Sequence, residues 1–332
     1  MPGIEDHRRP PPPHGRDIDL LVVGEINPDV IVSDADPRPV FGQAERSVRE
    51  IRLTIGGGSA ITACGAARLG LRVALVGVVG DDAVGRFMLE ALAARGVDIS
   101  HVRTDPSLPT GASVILSSPD DRAILTARGA IGAVTGADVR DDVVARARHL
   151  HVGSWFLQRA LWDDADDLFT RARAAGVTVS IDPNWDPEER WKAGLRDVLP
   201  LIDVVLPNAV EASRIAGIDD ADAGAAAVAL ARLGPVSRRL VVVKAGAAGA
   251  VAAIASGVVA STPAYSIEAA DTTGAGDSFD AGFLDVWLAG GSIEEALRHA
   301  AVCGALSTRE VGGTEGQPTR SEVEEATLAW AR

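Results

Sequence analysis

Lysine is almost missing from this chain: only Lys192 and Lys244 occur among 332 residues. A loop of the form G-x-x-x-x-G-K-[ST] needs a lysine directly behind its glycines, and neither stands in that setting, so a P-loop nucleotide site is excluded. Cysteine is as scarce. Cys64 and Cys303 each lie in an apolar Ala/Gly-rich stretch, which argues against a disulfide framework or a thiolate metal site, and both are read as small core residues. Basic side chains as a class are outnumbered, Lys+Arg 32 against Asp+Glu 46, for a formal net charge of −14. Nucleic acid and anionic membranes call for basic patches, so neither is an expected partner and a small molecule is.

Also lacking is an apolar leader. The run His7-Arg8-Arg9 with Pro10 to Pro13 meets no hydrophobic segment before Asp17, so no secretory signal is expected, residues 1–16 are read as a disordered tail, and a cytoplasmic protein is the expectation. Residues 245–267 carry no charge, yet Gly246, Gly249, Gly257 and Pro263 interrupt them. Two short strands fit that segment better than a spanning helix.

What is present is a β/α pattern. Residues 19–24 form an aliphatic run closed by Gly24, a buried parallel strand. A dinucleotide site would place G-x-G-x-x-G at this strand exit, and Gly24 stands there alone. Residues 73–79, 150–152, 177–181, 204–206 and 240–243 read as further buried strands with helical runs between them, as in a doubly wound sheet. Residues 51–55 alternate apolar with polar, and 113–116 and 123–125 make a hairpin, so these strands are set outside the main layer. Together, segments of about 27–55 and 108–130 make a small β lid that excludes water from the chemistry. Arg128, on the return from the hairpin, either faces the substrate or is a solvated charge, and the solvated reading is the one taken. The domain proper is taken as 17–332.

The most informative stretch is Asp271-Thr272-Thr273-Gly274-Ala275-Gly276-Asp277, followed by Phe279, Phe283, Leu284 and Trp287 at helical spacing. A helix that opens on a glycine turn presents unpaired N–H groups and the positive end of its dipole, and so holds anions without a cationic side chain. Asp277 in the first turn can stay ionised there and accept a proton from a hydroxyl attacking a phosphorus held at the same turn. A plain helix cap is the competing reading for an aspartate in that place. Asn27 and Asp29 are a polar pair near the first strand's carboxyl end, where α/β proteins bind ligands; a turn pair is the alternative.

These motifs resemble the ribokinase-like (PfkB) carbohydrate kinases, whose second signature reads D-T-x-G-A-G-D, and the motif order is kept from Asp17 onward. The resemblance implies an α/β fold with a mostly parallel central sheet flanked by helices and a small β-sheet lid. It implies Asp277 as catalytic base, an anion hole of Gly274, Ala275 and Gly276, and sugar contacts from Asn27, Asp29 and the Gly56-Gly57 turn. It also implies nucleotide contacts from Asn208, Lys244, Gly246, Gly249 and Gly313, Mg²⁺ held mainly through water by Glu211, and K⁺ close to Asp271. Such kinases often pair through their lids, so a homodimer is implied as well.

Two departures bear on the substrate. Ile61 stands where the family's first motif has an asparagine, and Asp186 follows Asp182-Pro183-Asn184 where some sugar-acid kinases have an arginine, which counts against an anionic acceptor. The expected activity is transfer of the γ-phosphoryl group of ATP to a primary hydroxyl of a small carbohydrate. A nucleoside kinase of the same fold, with Trp155 or Trp185 stacked on a base, and a ligand-binding regulator without turnover are the alternatives. Which sugar is taken does not follow from these residues.

Overall fold

The computed structural model describes residues 15–118, 122–191, 194–219, 222–234 and 239–330. The chain opens with β1 (Ile18–Val23), β2 (Asn27–Ser33) and β3 (Glu50–Gly56), then α1 (Gly58–Arg68), β4 (Val73–Gly80), α2 (Ala83–Ala94) and β5 (Asp98–Asp105). After the hairpin β6 (Ala112–Ser117) and β7 (Arg122–Ala127) come α3 (Asp141–Arg146), β8 (Ala147–Val152), α4 (Ala165–Ala174), β9 (Thr178–Ile181) and α5 (Leu195–Val198). The rest is β10 (Val204–Val205), α6 (Ala209–Ala216), α7 (Ala223–Ala231), β11 (Leu240–Lys244), β12 (Ala250–Ile254), β13 (Gly257–Thr262), α8 (Ala275–Leu288), α9 (Ile293–Ser307) and α10 (Arg320–Trp330).

Nine strands form one sheet in the order β13-β12-β11-β10-β9-β8-β1-β4-β5. All neighbours are parallel except β11-β12 and β12-β13. Strands buried on both faces need uninterrupted apolar runs, and β1 and β4 supply them with every residue buried. Alternation along β1 sends Leu21 and Val23 to the face covered by α4 and α7, with Phe169 and Leu230 in that layer. Leu20 and Val22 go to the other face, against Ala63 of α1 and Phe279, Phe283 and Leu284 of α8. Each fully buried Leu or Phe contributes about 1.5–3 kcal/mol. The uncharged residues 245–267 lie in β12 and β13, two short strands as the pattern predicts. No helix among the described residues is long and apolar enough to cross a membrane.

The lid is a separate four-stranded sheet, order β3-β2-β6-β7. Its register stacks Thr54, Asp29, Ser113 and Thr126 across the sheet, and next to them Ile31, Ile115 and Ile124. The intervening rows, Leu53-Val30-Val114-Leu125 and Ile51-Val32-Leu116-Ala123, point to the opposite face, because side chains alternate along a strand. β5 escaped the sequence pattern: its residues are mostly polar and half-exposed, since it is the sheet's edge. The tail assigned to 1–16 falls largely outside the described residues. Arg16, at its end, is pinned, donating to the carbonyls of Ala147 (2.8 Å), Ala175 and Gly176.

Candidate active site

Because β1, β8, β9, β10 and β11 run parallel, their carboxyl ends share one edge of the sheet, where ligands of α/β proteins bind. Glu25, Ser154, Asp182, Asn208 and Lys244 stand there. With the first turn of α8 and the inward face of the lid they enclose a cleft of about 890 Å³.

Gly274 caps α8 in the left-handed region, φ 72°, with no side-chain cap. A residue with a Cβ is strained in that conformation, so glycine permits the sharp turn that leaves α8's end open. Asp271 holds the turn: one carboxylate oxygen accepts the Thr273 N–H (2.9 Å) and hydroxyl (2.8 Å), the other the Gly312 N–H (3.0 Å). The Ala275 N–H leans back to the Thr272 carbonyl at 3.3 Å. Among the described residues the N–H groups of Gly274, Gly276 and Asp277 have no such partner, so the open donors keep Gly274 and Gly276 of the set that the motif implied and have Asp277 in place of Ala275.

Asp277 faces the start of α1. A Cβ on Gly58 would lie 2.7 Å from its Oδ1, so glycine is what lets the two elements close on the carboxyl. Burial, then the carboxylate of Asp182, pushes Asp277 up to about 7, with Glu25 and Asp29 adding to the shift and Lys244 opposing it. Burial likewise raises Asp29 to about 7, with Asp271 and Glu25 adding to the shift while the Ser113 hydroxyl and Arg122 oppose it. Asn27 donates to Asp29 Oδ1 at 3.4 Å. Both line the cleft, as does Gly57. Gly56 lies behind the wall, directly against the Asp29 carboxylate.

Glu25 is the acid that sequence reasoning passed over. It is buried in the cleft wall and accepts from the Ser59 hydroxyl (2.6 Å), the Ser154 hydroxyl (2.6 Å) and Gln158 Nε2 (2.8 Å). These bonds tie β1, α1 and the β8 exit into one rigid corner. Its position one residue past the strand-ending Gly24 was the available signal.

The other half of the cleft is organised by Lys244. Its ammonium lies 2.8 Å from Asp182 and 3.0 Å from both oxygens of Asp280, which is fully buried one helical turn beyond Asp277. One cation cannot offset two buried carboxylates. Burial pushes Asp280 well above the usual carboxylate range. Burial pushes Asp182 the same way, but Lys244 and the hydrogen bonds around it hold it below its ordinary value. Asn208 caps α6 in a reciprocal box with Glu211, and burial raises Glu211 to about 7. Among the described residues no three His, Cys, Asp or Glu side chains gather to bind a metal.

Lys244, Gly246, Asn208 and Glu211 line the cleft together with Gly274, Ala275, Gly276 and Asp277. Gly249 and Gly313 do not line it. Gly249 closes the β11-β12 turn against Thr262 and Pro263, and Gly313 packs behind Gly274 and against Ile61. Trp155 is completely buried against Phe169 and Trp162, which removes it as a stacking surface; Trp185, 45% exposed, lines the cleft. Arg128 is exposed, as a solvated charge would be, and also lines the cleft. Arg122 reaches from the lid to donate to Thr273 Oγ1 at 3.2 Å.

Comparison with known proteins agrees with this geometry. A family model described as pfkB family carbohydrate kinase matches residues 17–320. The chain is 32% identical over 306 residues to an ATP-dependent ribose-1-phosphate kinase of Halopiger xanaduensis, covering 92% of this chain and 96% of that protein. It is 29% identical over 310 residues to the ribokinase of Haemophilus influenzae, with the same coverages of 92% and 96%. Among solved structures, Arabidopsis thaliana ribokinase complexed with ribose and ATP superposes with a TM-score of 0.77 at 28% identity, covering 93% of this chain and 98% of that one.

Replacing Lys244 by Met leaves Asp182 and Asp280 facing each other without their cation. Removing one partner of a buried ion pair costs about 3–5 kcal/mol, and Lys244→Met is expected to lose about 3 kcal/mol in guanidinium denaturation at pH 7; a loss below about 1 kcal/mol would show that the three groups are not the electrostatic unit described.

Proposed function

This chain belongs to the pfkB family of carbohydrate kinases and is an ATP-dependent sugar kinase, and from that premise we propose that Asp277 takes the proton of a primary acceptor hydroxyl. The acceptor oxygen then bonds to the γ-phosphorus, the bond from that phosphorus to the bridging oxygen breaks, and ADP leaves. The observation that carries this reading is the place of Asp277: at the open end of α8, between the polar corner of Asn27 and Asp29 and the nucleotide half around Lys244 and Asn208. Its carboxyl, raised to about 7, is matched to proton transfer near neutral pH.

Asn27 and Asp29 orient the sugar, and the open N–H groups at Gly274, Gly276 and Asp277 stabilise charge on the phosphoryl group in flight. Mg²⁺ supplies the charge that offsets the ATP phosphates. Glu211 would hold it through water: its oxygens already accept the backbone N–H (2.9 Å) and the amide (2.6 Å) of Asn208, and Mg²⁺ keeps several waters in such sites. Asp271 retains lone pairs beyond its three bonds, which suits a K⁺ beside the turn. The enzyme works in the cytoplasm, where ATP is at hand.

The outer rows of the lid present Leu53, Ile51 and Leu125 at 54%, 63% and 64% exposure. A continuous aliphatic sheet face of this kind marks an interaction surface. Because the same face on a second copy is self-complementary about a two-fold axis, its partner is a second molecule of this chain. The proposed enzyme is therefore a lid-to-lid homodimer.

Three measurements test these points. In an ADP-release assay with Mg-ATP, in K⁺ and in Na⁺, a sugar should be turned over, and Asp277→Asn should lower kcat at least roughly a hundredfold; response to nucleosides alone would transfer the reading to a nucleoside kinase with Trp185 against the base. Because Asp277 is active only when ionised, kcat/KM should fall about tenfold per pH unit below a limb near 7, and a limb near 4 would remove Asp277 as the base. Light scattering should give twice the 34.3 kDa chain mass, and Leu53→Asp with Leu125→Asp should give the single-chain mass; a monomeric parent would refute the lid dimer.

A further inference from the structure

Along β7 every second side chain enters the cleft: Arg122, Ile124 and Thr126 line it, and Arg128 keeps the alternation one step beyond the strand. The two arginines stand in different company. Arg122 lies between the anion turn, where it bonds Thr273, and Asp29, whose charge it partly offsets. Arg128 forms no side-chain hydrogen bond or ion pair with any described residue; it is exposed and lines the cleft together with the apolar residues Ile131, Leu157 and Trp185.

The groups nearest to Arg128 do not neutralise it. Arg159, which feels the charges of both Arg190 and Arg128, is itself paired with Glu188, and Glu188 is shared with Arg190 at 2.5 Å. Asp186, which in sequence stands where it would repel an anionic acceptor, turns away from the cleft. It is 1% exposed, and its carboxylate accepts the N–H groups of Glu188 (3.0 Å), Arg190 (2.8 Å) and Trp191 (2.7 Å). Asp186 and Glu188 are thus engaged elsewhere, and Arg128 keeps no carboxylate partner among the described residues of a chain whose net charge is −14. An arginine fork at an apolar wall matches the oxygens of a phosphate or carboxylate.

We infer that the acceptor carries an anionic group, a phosphate ester or a carboxylate, and that Arg128 holds it at the lid end of the cleft, away from the reacting hydroxyl. This inference rests on the kinase reading for its reaction but not for its binding site. Arg128 is a specificity residue and stands apart from the phosphoryl transfer at Asp277.

The test compares neutral acceptors with anionic counterparts: ribose with ribose 1-phosphate, fructose with fructose 6-phosphate, and the open-chain polyol glucitol with gluconate, each retaining a free primary hydroxyl. A charge-assisted contact of about 1.5–3 kcal/mol corresponds to roughly 10- to 100-fold in kcat/KM in favour of the anionic member of a pair. The phosphate and carboxylate pairs separate the two anion types. In Arg128→Ala the ratio between members should fall to near one, through KM for the acceptor and not for ATP, and Arg128→Lys should restore part of it. A neutral member that is equally good, or a ratio untouched in Arg128→Ala, overturns the inference while leaving the kinase standing. If no acceptor is turned over, the kinase reading fails by itself. The anion site is then read by thermal stabilisation with ribose 1-phosphate, fructose 6-phosphate and gluconate, expected in the parent and lost in Arg128→Ala; no stabilisation in the parent overturns it.

Discussion

Three groups, Lys244, Asp182 and Asp280, fix the charge of the cleft, and the rest of the site answers to them. Each comes from a different element: the end of β11, the end of β9 and the second turn of α8. Their contact therefore sets where α8 begins relative to the sheet. Since the open N–H groups and Asp277 belong to that helix, the place of the proposed base and of the anion turn is set by an ion cluster one turn deeper. The charge of the cluster also matters. Burial pushes Asp280 well above the ordinary carboxylate range while Lys244 keeps Asp182 ionised, and the Asp182 carboxylate, added to desolvation, lifts Asp277 to about 7 against the opposing charge of Lys244.

The lid supplies the complementary charges. A cleft holding Glu25, Asp29, Asp182, Glu211 and Asp277 would repel ATP and any anionic acceptor if nothing opposed it. In the proposed reading Mg²⁺ would offset the nucleotide, and among the described residues lining the cleft the cations besides Lys244 are Arg122 and Arg128, which come with the lid strand β7 and the residue just beyond it. One sheet face thus closes the cleft and brings its positive charge, while the other face is apolar. Period-two alternation assigns both duties to four short strands, and it ties any motion of the lid to the arrival of charge over the acceptor.

Much of this was legible in the sequence. The strand and helix order followed from runs such as 19–24 and 73–79, whose lack of charge leaves no fate but a buried parallel sheet. The turn at Gly274 was legible because its chemistry is local: glycine spacing, a helix start and an acid lie within seven residues. What stayed hidden depended on side-chain direction across elements. Asp280 was within reach, because an acid three residues after Asp277 must lie on the same side of the helix, but nothing local said that Lys244 would meet it. Glu25 carried no local signal of its role, because Ser59, Ser154 and Gln158, which close around it, stand 34, 129 and 133 positions away.

Asp186 and Arg128 show how far residue identity can mislead when orientation is unknown. In sequence, an aspartate behind Asp182-Pro183-Asn184 reads as negative charge at the substrate, and an arginine after a hairpin reads as solvated. In the fold Asp186 is buried away from the cleft, and Arg128, exposed, lines it. The segment after Asn184 must turn sharply; Asn184, Glu189 and Trp191 all adopt positive φ. Three N–H groups exposed by those bends need an acceptor, because buried unpaired donors cost about 1–3 kcal/mol each. Asp186, at the start of the bend, satisfies all three. Its carboxylate is thereby fixed by backbone demand and is no longer available to the cleft. Arg128, beyond the last paired residue of β7, meets no such demand, and strand alternation alone decides where it points. The electrostatics of the acceptor end are therefore set by which loop needed a carboxylate for its own amides.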